Sequence, residues 1–340
     1  MSLLGLTGCN SGSQSDEILI GHYASLTGSE ATFGKSTDDG IKLAVEEFNA
    51  AGGLNGKKVA LRTYDDKSSV QEAGTAVTRL VTYDKVVAVL GEVASGLSLA
   101  GAPICQKHSV PMITPSSTNP AVTAEGDMIF RVCFIDPFQG YVCAKFARSE
   151  RLNAERAAVL YDQSAPYSTD LALAFEKAFT ELGGKIVAKE SFAKGDPDFS
   201  AQLTTIRSQD PQVIFIPAYY TDVGNIAVQA RKLGITVPLM GGDGWDSEEL
   251  PKLGGDAVNG CFYSNHYSQQ EPNPRVQEFI KKYKAAYGKA PDGLAALGYD
   301  AARILFEAMG RAKSLEGPDL AAAIAATKDF NGVTGTITIN

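Results

Sequence analysis

Short apolar runs alternate with amphipathic stretches along the whole chain. Residues 18–23 (ILIGHY) read as a strand. Residues 36–49 then carry Ile41, Ala44, Val45 and Phe48 at spacings that share one helical face, and Gly52-Gly53 stops that helix. A strand at 59–64, a helix at 70–81, a strand at 86–90, a helix at 97–108 and a strand at 110–114 follow. The alternation predicts a parallel, doubly wound sheet. It then resumes: a strand at 129–134 breaks at Asp136-Pro137, and a helix covers 139–150. Strands at 157–161, 186–192, 213–216 and 238–240 interleave with helices at 171–182, 199–208 and 226–233. Helices at 273–287, 294–312 and 318–327 and a strand at 333–339 complete the chain. The class is α/β, with two Rossmann-like doubly wound lobes facing each other.

In such sheets ligands sit outside the carboxyl ends of the strands. Polar residues gather there: Ser25 to Ser29, Ser95, and above all Thr114-Pro115-Ser116-Ser117-Thr118-Asn119-Pro120. Pro115 cannot donate to a ladder and biases Thr114 toward an extended conformation, so the chain leaves the sheet as three hydroxyls appear. Two readings fit that stretch alone: a polar turn capping a helix near Asn119, or a cradle for a small polar or zwitterionic ligand. Strand ends in the second half supply Tyr167, Tyr219, Tyr220 and Gly241-Gly242-Asp243-Gly244-Trp245.

The chain has 340 residues, enough for about two domains. A net charge of −8 without a basic face excludes a nucleic-acid footprint. No apolar run reaches the roughly 20 residues of a membrane span. Leu6-Thr7-Gly8-Cys9 resembles a bacterial lipoprotein box with Cys9 as the lipidation site, and 10–15 read as a polar tether. Met1 to Thr7 lack a basic residue and are too short for a signal's charged and apolar regions. A signal trimmed to its end is expected, in a chain that is neither exported nor lipidated as written. Cys105, Cys133, Cys143 and Cys261 form no metal-like spacing with His22, His108 or His266. An exported location permits disulfides among them, and buried free thiols fit as well.

Catalytic motifs are missing. Val93-Ala94-Ser95-Gly96 lacks the first glycine of a nucleophile elbow, and no Walker loop or dinucleotide fingerprint follows the first strand. No cofactor or metal is called for, and an enzyme is not expected. A binder explains the pieces better. Hydroxyls and strand-end amides suit a carboxylate, and Asp243 suits an ammonium. Tyr23, Phe33, Tyr167, Tyr219, Tyr220 and Trp245 offer walls for an apolar body, although each aromatic taken alone fits core packing. The set matches a zwitterionic α-amino acid.

These residues, in this order, resemble the periplasmic branched-chain amino acid-binding proteins (leucine/isoleucine/valine type) of ABC importers, which have the type I periplasmic-binding fold. The resemblance is carried by Ser25-Leu26-Thr27-Gly28, Gly40 to Ala44, Asn49 to Gly56, Tyr64-Asp65-Asp66, Gly91 to Ser95, Pro111 to Thr118, Asp136 to Gly140 and Gly241 to Trp245. It implies two lobes joined by a three-strand hinge. Residues 1–15 would be the signal remnant and tether, 16–136 with 268–332 lobe 1, and 137–267 with 333–340 lobe 2.

By the same resemblance, Ser95 and Thr118 would hold the ligand carboxylate, and Thr118 and the Ser116 carbonyl the ammonium, with Ser117 between them. Tyr167 and Tyr219 would close from lobe 2, and Phe33 would wall the side-chain pocket. Asp243 stands where branched-chain binders carry glutamate, one methylene longer, and Trp245 is bulkier than the usual residue there. Lys67-Ser68-Ser69 replaces a small disulfide loop, and the family's usual last hairpin after 336–339 is not in the sequence, which suggests truncation. The implied function is extracytoplasmic capture of a neutral aliphatic L-amino acid for ABC permease subunits. The protein would be a monomer, periplasmic or on the outer face of the cytoplasmic membrane, touching membrane only through the lipid anchor. A ligand-sensing regulatory or receptor domain on the same fold is the second expectation.

Overall fold

Each lobe is a five-stranded parallel sheet, and every strand pair within it is parallel because a helix or loop carries the chain back over a face. The computed structural model describes residues 17–339; Cys9, the tether and Asn340 lie outside them. The first half runs β1 (Glu17–Ala24), α1 (Ala31–Ala50), β2 (Lys58–Asp65), α2 (Val70–Arg79), β3 (Val89–Leu90), α3 (Ser95–Lys107), β4 (Met112–Thr114), α4 (Ala121–Ala124) and β5 (Ile129–Arg131). Its sheet has the order β2-β1-β3-β4-β5. The second runs α5 (Asp136–Ala147), β6 (Arg156–Asp162), α6 (Pro166–Glu181), β7 (Lys185–Phe192), α7 (Ser200–Ser208), β8 (Val213–Phe215), α8 (Tyr220–Lys232), β9 (Leu239–Gly241), α9 (Leu250–Gly254) and β10 (Phe262–Tyr263). Its order is β10-β9-β8-β6-β7. The chain then gives α10 (Pro274–Tyr287), α11 (Gly293–Arg311), α12 (Gly317–Ala325), β11 (Phe330–Asn331) and β12 (Thr336–Ile337).

The helices α10 to α12 return to the first lobe: Phe279, Leu305 and Ile324 are buried in one core with Ile20, Leu90 and Ile113. Gly40 lets α1 approach α11 closely, since a Cβ there would overlap the Ala295 carbonyl. The second lobe has its own apolar layers around Phe175, Phe179 and Phe215 on one face and Ile214, Val223 and Ile226 on the other.

Several expected boundaries shift. The Asp136-Pro137 break is itself the start of α5, because proline fits the first turn of a helix, whose N–H groups have no partner anyway. The expected strands at 86–90 and 129–134 shorten to β3 and β5. The resemblance places 333–340 in lobe 2, yet Val333 and Ile339 lie in the first-lobe core, and the Asp300 carboxylate accepts from the Val333 N–H at 3.0 Å. Only a two-residue β12 forms there, antiparallel to β11. The chain passes between the lobes over 132–135 and 264–273.

The lobes touch along the cleft. Asn119 Nδ2 donates to the Pro166 carbonyl (3.1 Å) and Asp170 Oδ2 (2.8 Å). Thr32 Oγ1 lies 2.9 Å from Ser247 Oγ, and Lys194 Nζ lies 2.6 Å from Glu30 Oε1. Phe33, Val93 and Leu294 of the first lobe pack into the second lobe's core.

Candidate functional site

Between the lobes lies a cavity of about 10 Å³ lined by Phe33, Val93, Ser95, Ser116, Tyr167, Tyr219, Asp243, Gly244 and Leu294. That is about the least that holds one water and far below the roughly 300–1,000 Å³ of sites for drug-sized ligands, so the two lobes are shut on these side chains and a larger molecule enters only as they part. Every wall comes from a strand end or a helix start. Ser95 opens α3 after β3, and Ser116 follows β4. Tyr167 opens α6 after β6, Tyr219 precedes α8 after β8, and Asp243 follows β9.

The first-lobe wall favours an anion. Ser95 heads the 13-residue α3, whose free N–H groups and dipole present positive potential to the cavity. Ser95 Oγ accepts from the Asn119 N–H at 3.3 Å, and its own proton remains to donate. The buried Ser116 hydroxyl has no partner in the protein. An unsatisfied buried hydroxyl costs about 1–3 kcal/mol, so it marks a place where something else completes the bond.

The second-lobe wall carries the negative charge. Asp243 Oδ1 accepts from Gln139 Nε2 (2.8 Å) and the Tyr167 hydroxyl (3.0 Å), and Oδ2 from His266 Nε2 (3.1 Å). His266 stacks on Phe134, ring centroids 3.7 Å apart. The Tyr167 hydroxyl also accepts from the Gly244 N–H at 3.1 Å. Burial, and then the Asp243 charge, push Tyr167 well up, so its phenol stays a donor. Tyr219 lies parallel to Tyr167 at 5.1 Å, and Phe33 meets Tyr219 edge-on at 5.7 Å. These rings, with Val93 and Leu294, form an apolar wall beside the two polar ends. The glycine-rich run is explained by packing: a Cβ on Gly241 would overlap the Trp245 indole, and one on Gly242 the Tyr167 hydroxyl.

Six of the nine expected residues line the cavity: Phe33, Ser95, Ser116, Tyr167, Tyr219 and Asp243. Three do not. The Ser117 hydroxyl turns inward to the Glu92 and Val93 carbonyls (both 3.0 Å) and Ser98 Oγ (2.7 Å). Trp245 is core, its Nε1 donating to the Ile216 carbonyl at 2.9 Å. Thr118 is buried outside the lining set with its hydroxyl unpartnered. The sequence reading missed Val93, Leu294, Gln139 and His266. Gln139 and His266 sit in or beside the two crossings, far in sequence from Asp243, and no local pattern announces them. Cys105, Cys133, Cys143 and Cys261 are all free thiols. Among the described residues no helix is long and apolar enough to cross a membrane.

A family model described as "Periplasmic binding protein" matches residues 17–340. The Leu/Ile/Val-binding protein homolog 2 of Brucella abortus is 31% identical over 326 residues, covering 95% of this chain and 86% of the relative. The leucine binding protein LivK of Thermotoga maritima superposes with a TM-score of 0.91 at 42% identity, covering 95% of this chain and 91% of that one. The branched-chain amino acid transporter substrate binding protein LivJ of Streptococcus pneumoniae, solved with isoleucine, gives 0.90 at 35% identity, covering 95% and 92%.

Proposed function

The chain belongs to the periplasmic binding protein family, and on that premise we propose that it captures a neutral, aliphatic L-amino acid between its lobes and delivers it to an ABC permease. One observation carries the reading. A single small cavity sets a helix N-terminus with Ser95 and an unpartnered Ser116 hydroxyl against the Asp243 carboxylate, with an apolar wall between them. The carboxylate of a zwitterion meets Ser95, Ser116 and the α3 N-terminus. Its ammonium meets Asp243, on the side of the Tyr167 hydroxyl. An aliphatic side chain lies against Phe33, Val93, Tyr219 and Leu294. The relatives described as leucine- or isoleucine-binding support the same class.

The arrangement of the two walls supports closure on the ligand. Ser95 and Ser116 belong to one lobe and Asp243 and Tyr167 to the other, so a ligand makes both sets of bonds only when the lobes meet, and it favours that state by its differential affinity. Asn119–Asp170 and Glu30–Lys194 then seal the rims. The protein acts outside the cytoplasm as a monomer, tethered through Cys9 in its lipidated form. A thermal-shift screen over the L-amino acids tests the reading. A ligand at 100 times its Kd stabilises by about 2.7 kcal/mol, and leucine, isoleucine or valine should give the largest shifts. A screen in which no neutral amino acid shifts the transition would refute it.

A further inference from the structure

Buried polar atoms without partners gather behind the cavity. Ser116 Oγ, Thr118 Oγ1, both carboxyl oxygens of Asp136 and Gln139 Oε1 all lack one. Asp136 is the most unusual of these. It is fully buried, it is the first residue of α5, and it sits at the end of the first crossing between the lobes. Its N–H donates to the Thr118 carbonyl at 2.9 Å, which pins the residue to the hydroxyl run. The Thr118 hydroxyl stands near enough to favour the ionised carboxylate, although neither group completes a hydrogen bond.

Among the described residues no cation hydrogen-bonds to that carboxyl. Arg131 is the nearest candidate, and its guanidinium is committed to the Ser117 and Pro120 carbonyls and Thr123 Oγ1. The other titratable groups facing Asp136 are Asp243 after β9 and Asp170 on α6, both acidic, Tyr167 and Tyr219, and Cys133 on the crossing. His266 reaches the cluster only through Asp243. Three carboxyl groups therefore converge on one region, and the Arg131 charge that favours ionised Asp136 makes no hydrogen bond to it. A carboxyl group so placed gains further stabilisation from a visiting cation or from its own proton.

Building on the zwitterion reading above, we propose that Asp136 is a positioning residue of this site, whose carboxylate turns the Thr118 hydroxyl toward the ligand's ammonium and supplies a second negative charge for it. Asp136 does not line the cavity and acts through Thr118. Burial, and then the charge of Asp243, push its carboxyl up to about 8, so without ligand it holds its proton at neutral pH. An arriving ammonium replaces that proton: Asp136–COOH becomes Asp136–COO⁻, and the proton leaves to solvent. Amino acid binding at neutral pH thereby releases a proton. Affinity rises with pH until Asp136 is already ionised in the free protein.

Calorimetry with L-leucine in phosphate and in Tris, whose ionisation enthalpies differ, counts the protons exchanged. The wild type should release about one proton per ligand at pH 7, and its affinity should rise about tenfold per pH unit between 6 and 7. Asp136→Asn, of the same shape, should abolish the release and weaken binding by roughly 10- to 100-fold. Its unfolding transition, followed by circular dichroism, checks that it is folded, and the wild-type proton count stands without any variant. No proton release by the wild type, or equal release by Asp136→Asn, overturns the proposal. A wild type that binds no amino acid overturns the functional reading, and this inference with it.

Discussion

Replacing Asp243 by alanine removes one acceptor from four donors. Three belong to the protein: Gln139 Nε2 at 2.8 Å, the Tyr167 hydroxyl at 3.0 Å and His266 Nε2 at 3.1 Å. They lose their partner with or without ligand, so that part of the cost falls on stability. The fourth donor, the ligand ammonium, is present only in the complex and sets the change in affinity. Removing one partner of a buried charge pair costs roughly 2–5 kcal/mol of binding, or about 30- to several-thousand-fold in Kd. The lower half of that range is expected here, because Asp243 is one methylene shorter than glutamate and the remaining polar wall at Ser95 and Ser116 is intact. Asp243→Asn keeps an acceptor for Tyr167 while deleting the charge, and should fall between alanine and wild type. Calorimetric titration with L-leucine gives Kd, and unfolding without ligand separates the stability cost. A Kd within about threefold of wild type, alongside a lower unfolding temperature, would make Asp243 a brace for the aromatic pair and not the ammonium partner.

Three further outcomes follow from neighbouring contacts. Ser117→Ala breaks the bonds to the Glu92 and Val93 carbonyls and Ser98; it should cost about 1–3 kcal/mol in urea unfolding and leave leucine affinity unchanged. Trp245→Phe loses the bond to the Ile216 carbonyl; it should cost a similar 1–3 kcal/mol while the order of preference among amino acids, read by thermal shift, stays the same. Burial, and then Asp246, push Asp292 up to about 7, and burial pushes Asp66 and Asp222 up to about 6. Such groups stabilise the fold fully below the ordinary carboxyl range and lose that contribution as pH rises through 6 to 7. Unliganded protein should therefore melt at lower temperature at pH 8 than at pH 5. Asp292→Asn, which keeps the cap on the Ala295 N–H, should flatten that slope, and an unchanged slope would remove Asp292 from the account.

The alternation of strands and helices was legible because each apolar run is short and bounded by turn residues, and that alone placed Ser95, Ser116, Tyr219 and Asp243 at strand ends on one side of each sheet. The direction of a side chain was less legible. Ser116 faces the cavity while Ser117 turns to the core, as neighbours in an extended chain do, and applying that rule to the hydroxyl run would have set Ser117 aside. Trp245 shares a single helical turn with Asp243, so two residues of chain carry it from cleft to core. Gln139 and His266 were out of reach for another reason. They meet Asp243 only after the crossings fold back, and nothing near either residue in sequence points to that meeting. The placement of 333–339 also failed, because a short alternating stretch fits an edge of either lobe, and the bonds to Asp300 that fix it are long-range.

The central claim is that one cavity holds both charged ends of a zwitterion from opposite lobes. Comparing L-leucine with its two halves, 4-methylpentanoate without the ammonium and 3-methylbutylamine without the carboxylate, tests it directly by calorimetry. The account predicts that leucine binds and that each half-molecule binds at least about 100-fold more weakly, since each leaves one buried polar wall unanswered. Binding of 4-methylpentanoate as tight as that of leucine would contradict it.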